Sequence, residues 1–130
     1  MRFMVIIKAS PESEKEGYRP DPQLLLDMGK FNEELIKAGI VLAMDGLHPS
    51  SKGARVKFSG NSITVVDGPF TEAKELVAGF WILEAADMDE AMVWARKAAF
   101  DPGSRGEVRE IPYSSLEGGT PHPSRVKNRQ

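Results

Sequence analysis

Gly79-Phe80-Trp81-Ile82-Leu83-Glu84-Ala85 and, near the other end of the chain, Phe3-Met4-Val5-Ile6-Ile7-Lys8-Ala9 are the two stretches on which the fold turns. Both are rich in β-branched and aromatic residues, which marks them as strands. Side chains along a strand alternate between the two faces of its sheet. Phe3, Val5 and Ile7 therefore share one face and Met4 and Ile6 the other, while Trp81 and Leu83 alternate with Phe80 and Ile82. Both faces are apolar, so both need cover.

Working outward, Asp21-Pro22 pairs an N-cap residue with a proline at the first helical position. Leu24, Met28, Phe31, Leu35 and Ala38 then recur at helical spacing, which predicts a helix over 22–38 with Gly39 as its C-cap. Ile40 to Met44 read as a second strand, broken by Asp45-Gly46-Leu47-His48-Pro49. Residues 55–59 and 62–66 form a hairpin about Gly60-Asn61, with Val56 and Phe58 facing one way and Ile63 and Val65 expected to point inward. Asp67-Gly68-Pro69-Phe70 is a sharp break before a polar turn. Asp87 and Glu90 form a capping box that opens a second helix. Met88, Ala91, Met92, Ala95 and Ala99 are expected on its inner face, and Asp101-Pro102-Gly103 ends it. Residues 107–111 make a last strand.

The order is β-α-β, a hairpin, then β-α-β. This predicts an α+β, ferredoxin-like protomer with an antiparallel sheet and two helices on one face. The domain spans 1–111. Residues 112–130 carry Pro112, Pro121 and Pro123, two adjacent glycines and Arg125, Lys127 and Arg129. That composition cannot bury a core and predicts a flexible or partner-wrapping tail. Two helices shield one side of the sheet only. A second copy is the expected cover for the other, giving a two-fold homodimer through the open sheet face. The hairpin or the tail folding over that face is the alternative.

The composition narrows the function classes. Lys plus Arg number 17 and Asp plus Glu 19, a net charge of −2 that argues against nucleic acid as a partner. The apolar run at the N-terminus is too short for a membrane span. Without cysteine there are neither disulfides nor thiolate metal sites, which fits a cytoplasmic location. The lone histidine of the folded body, His48, has no partners at metal-ligand spacing, so no metal and no cofactor are predicted.

Two segments carry candidate chemistry. In Asp67–Glu75, DGPFTEAKE, Asp67 either caps the turn or stands as a carboxylate at a pocket mouth. Glu72, Lys74 and Glu75 cluster just after it, as a polar-ligand site or as a solvated turn. In the second segment, His48 suits acid–base work and Asp45 is near enough in sequence to orient it. His48 bonding a backbone carbonyl at a strand end is the plainer reading. The candidate catalytic residues are thus His48, Asp67 and Glu72, with Asp45, Lys74 and Glu75 as ligand-binding residues.

DGPFTEAKE, followed by AGFWILEAADMDEAMVWA and preceded by GLHPSSKGARVKF, resembles the DGPF-type branch of the YciI-related family, from about Met1 to Ile111. The resemblance implies a dimeric α+β barrel built from ferredoxin-like protomers. It implies little about function. Members are largely uncharacterised, and the wider barrel group includes small enzymes of the muconolactone-isomerase type, with sites between sheet and helices. The His-Asp pair of core YciI proteins, with its histidine on the first helix, does not carry over, because residues 22–38 contain no histidine. DGPF-type proteins are also often associated with extracytoplasmic-function sigma factors.

Two readings follow. One is a small acid–base enzyme, isomerase- or lyase-like, acting on a small polar molecule held between sheet and helices. Asp67 or Glu72 would be its base, His48 its proton shuttle, and Lys74 its anchor for an anionic group. The other is a non-catalytic module that binds a ligand or a protein, linked to sigma-factor-dependent transcription.

Overall fold

The computed structural model describes residues 1–98 and 104–112. In chain order these form β1 (Arg2–Lys8), α1 (Pro22–Ala38), β2 (Val41–Gly46), β3 (Ala54–Ser59), β4 (Ser62–Asp67), β5 (Val77–Glu84), α2 (Met88–Ala95) and β6 (Gly106–Ile111). The main sheet has the order β2-β5-β1-β6 and its pairings are antiparallel. β1 and β2 are separated by β5, so α1 is a crossover helix, and the arrangement is the ferredoxin-like α+β one. β3 and β4 form a separate two-stranded sheet.

The register sets the two faces. Phe3 lies opposite Leu83, and Val5 lies opposite both Trp81 and Val108. Phe3, Val5, Trp81 and Leu83 are buried, together with Phe31 and Leu35 of α1 and Ala91 of α2. Both helices therefore cover this one face. The Phe31 ring meets Trp81 edge-on, with centroids 5.2 Å apart. Met4, Ile6, Phe80 and Ile82 occupy the other face and are half-buried among their neighbours in the sheet.

The helix ends follow local chemistry. Asp21 accepts the Gln23 backbone N–H at 2.7 Å, ahead of Pro22. Gly39 adopts φ 70°, the left-handed geometry that lets its N–H reach the last turn of α1. Asp87 accepts from the Glu90 N–H at 2.9 Å, the first half of the capping box at α2, while the Glu90 carboxylate reaches one residue further back, to the Ala86 N–H at 3.4 Å.

Several expectations need correction. Ile63 and Val65 are exposed rather than inward, as are Val56 and Phe58 opposite them, Phe58 by 78%. Their alternation made the hairpin amphipathic, but it stands apart from the main sheet, so alternation did not imply a core. Asp45-Gly46 does not break β2, because Gly46 lies opposite Gly79 and the two backbones pass closely enough to continue the ladder. Ala38 and Met88 are exposed at the ends of their helices. α2 ends at Ala95, earlier than expected. Ala99, the Asp101-Pro102-Gly103 stop and residues 113–130 of the tail lie outside the described residues.

Candidate functional site

The site begins with a small serine-anchored turn. Ser10 N–H donates to Ser13 Oγ at 2.9 Å, and Ser13 N–H donates back to Ser10 Oγ at 3.1 Å. This local pairing is the kind that Ser-rich turns favour. It fixes the next residue, Glu14, whose carboxylate accepts the Ser50 backbone N–H at 3.0 Å and the Ser50 hydroxyl as well. Ser50 Oγ in turn accepts the Phe70 N–H at 3.0 Å. Gly68 N–H donates to Gly53 O at 2.9 Å. Three distant segments, the first loop, the Ser50–Lys52 turn and Asp67-Gly68-Pro69-Phe70, are thereby tied together. Arg55 lies over the Phe70 ring, 3.9 Å from its centroid, and closes the outer side.

Next to this knot, between the first half of α1 and the end of the sheet, is a cavity of about 550 Å³. That is a ligand-sized volume, and its lining has the usual mixture of apolar wall and a few polar groups. Leu24 and Met28 of α1 face Ile7, Met44 and Trp81 of the sheet. The polar lining includes Lys8, Glu14, Tyr18, Asn32 and His48. Asn32 Oδ1 accepts the Trp81 indole N–H at 2.9 Å.

The structure brings two of the sequence-derived candidates, Asp45 and His48, to the lining of this cavity. Asp45 lies within β2 and His48 just beyond it, before Pro49 and the tied Ser50, and both side chains are exposed. Asp67 ends β4 opposite Ala54 and is exposed. Glu72, Lys74 and Glu75 are exposed on and beside the short helical turn Ala73–Glu75. These four do not line the cavity. Among the described residues, no group of three or more His, Asp or Glu side chains is placed to hold a metal ion. No helix among them is long and apolar enough to cross a membrane.

Glu14, Tyr18 and Asn32 were not singled out from sequence. Glu14 is one acid in a run of charged loop residues, and nothing local marks it. Asn32 did carry a signal, since Met28, Phe31, Asn32 and Leu35 stand at helical steps and a polar residue inside that apolar stripe calls for a partner.

The YCII-related domain family matches residues 1–114. The chain belongs to that family. The YCII-related fold places the cavity on the helix-covered face of the sheet. A relative in Rhizobium meliloti (strain 1021), an uncharacterised protein, is 28% identical over 99 residues, covering 76% of this chain and 80% of that one. A solved structure, 5-chloro-2-hydroxyhydroquinone dehydrochlorinase (TftG) from Burkholderia phenoliruptrix AC1100 in complex with 2,5-dihydroxybenzoquinone, aligns with 89% of this chain and 98% of that chain. It is 17% identical with a TM-score of 0.42, too distant for its chemistry to bear on this site.

Proposed function

We propose that this YCII-related protein binds a small organic molecule in the cavity between α1 and the sheet and acts on it by proton transfer, in the manner of an isomerase or lyase. The observation that supports this reading is the cavity itself: about 550 Å³, walled by apolar side chains, with His48 and Lys8 in its lining. An imidazole can take a proton from a bound molecule and return it. Asp45, in the same lining, is the group available to steady it. Glu14 has a different part. Its carboxylate already accepts two groups of Ser50, so it holds the loop that carries His48.

The working unit in this reading is a two-fold homodimer joined through the helix-free face, where Met4, Ile6 and Ile82 would be covered by their counterparts. The reading is tested by screening a library of small aromatic and aliphatic ketones and acids by protein-observed NMR. Binding should shift resonances of Trp81, Met28 and His48, and filling the cavity with Met28→Trp should abolish it. Binders that map elsewhere, or that survive Met28→Trp, would remove the basis for the reading. Once a reaction is found, His48→Ala should slow it by about a hundredfold or more, the contribution of a general acid–base group.

A further inference from the structure

We infer that Asn32 is the specificity-determining hydrogen-bond donor of the cavity and that it selects molecules with a carbonyl or carboxylate oxygen on an apolar body. The inference rests on the cavity being a binding site, as proposed above. It starts from Trp81, which is buried, paired edge-on with Phe31, and fixed in the centre of the sheet. An indole N–H only donates. The end of Asn32 that meets it at 2.9 Å must therefore be the carbonyl oxygen. The orientation of the amide, which for most asparagines is ambiguous, is set here by the core. Its NH₂ group is the other end, and among the described residues it has no hydrogen-bond partner.

Asn32 lines the cavity alongside Leu24, Met28 and Met44, which offer no hydrogen bond of comparable strength. Burying an amide NH₂ under a bound ligand without a partner costs free energy, so the ligand that gains most is one that supplies an acceptor there. A donor-only ligand end would leave both groups unsatisfied. Glu14 does not compete for the same role, since its oxygens accept from Ser50. The Lys8 ammonium, also in the lining and without an ion pair among the described residues, would add attraction for a carboxylate. A neutral ketone removes the charge contribution of Lys8, and the Asn32 variant separates the amide from the other donors of the lining, Lys8, Tyr18 and His48.

The test compares acetophenone with ethylbenzene, which have nearly the same shape and differ in the acceptor oxygen. Their affinities are measured by NMR titration on the wild-type chain and on Asn32→Asp. The aspartate keeps an acceptor for the Trp81 N–H and has no donor. Wild type should prefer acetophenone about fivefold, the ratio that one net hydrogen bond supplies. In Asn32→Asp the preference should vanish or reverse, with ethylbenzene binding unchanged and the Trp81 indole resonance still in its bonded position. If the aspartate variant does not fold, the Asn32 side-chain NH₂ resonances of the wild type are read instead: a downfield shift with acetophenone and none with ethylbenzene supports the role, and no difference between the two overturns it. Equal preference in wild type and variant, with cavity resonances shifting in both, overturns the role of Asn32 and leaves the cavity reading intact. If neither compound shifts cavity resonances of the wild type at millimolar concentration, the cavity reading falls and takes this inference with it.

Discussion

A side-chain carbon added at Gly68 would sit 1.8 Å from the carbonyl oxygen of Ser50. No real Cβ approaches an oxygen so closely, and the obstacle is backbone, which cannot swing aside. The glycine is required by contact with another segment rather than by its own backbone angles. Gly68→Ala should cost about 3 kcal/mol by forcing the two segments apart. Urea denaturation would measure it, and a loss below about 1 kcal/mol would mean that the contact yields easily, since a Gly-to-Ala change free of such a contact stabilises by about 0.4–1 kcal/mol through the unfolded chain.

Ser50 is the hinge pin of the same contact. Its hydroxyl gives a hydrogen bond to Glu14 and receives one from Phe70. Ser50→Ala should lower stability by about 1–3 kcal/mol and expose the Phe70 amide to solvent. Amide hydrogen exchange distinguishes this from a general weakening. Phe70 should exchange markedly faster while amides of β1 hold their protection.

Leu83 and Phe58 are both large and apolar, yet the fold treats them oppositely. Leu83 is fully buried and Phe58 is 78% exposed. Leu83→Ala should cost about 2–5 kcal/mol through lost burial and the cavity left behind. Phe58→Ser should change the stability of the protomer by about 0.5 kcal/mol or less. Equal losses would show that the hairpin face is covered after all.

Ile82 lies on the helix-free face of β5, in register with Met4. A glutamate there would be solvated in a lone protomer and desolvated in the proposed dimer. Ile82→Glu should leave the protomer folded and convert the dimer to monomer in light scattering at micromolar concentration. A wild-type chain that is already monomeric there would end the dimer proposal.

Much of the fold was legible in the residues. Asp21-Pro22 and Gly39 bounded α1 because caps answer to local chemistry. The β-α-β order of the elements predicted both helices on one side of the sheet, and Phe31, Leu35 and Ala91 do pack on one face. The hairpin was misread because alternation reports that one face is apolar, not that anything lies against it. At the site, His48 and Asp45 were visible since their types stand out beside a strand end. Glu14 was not, because its role depends on Ser50, 36 positions away. The Asp67-Gly68-Pro69-Phe70 segment stood out by its unusual sequence and was open to two readings, a capped turn or a carboxylate at a pocket mouth; that its backbone bonds Ser50 and Gly53 depends on segments far along the chain.

β1 lies between β5 and β6, so the earliest of these strands to be synthesised finds its partners only in residues 77–84 and 106–111. Until then β1 must wait with its apolar side chains unsheltered, while the β3–β4 hairpin can close at once. Pairings this far apart along the chain slow folding. Nascent chains stalled before β5 should thus be the ones that chaperones hold longest, and the emergence of β5 and β6, rather than any early local event, should set the moment at which the sheet closes.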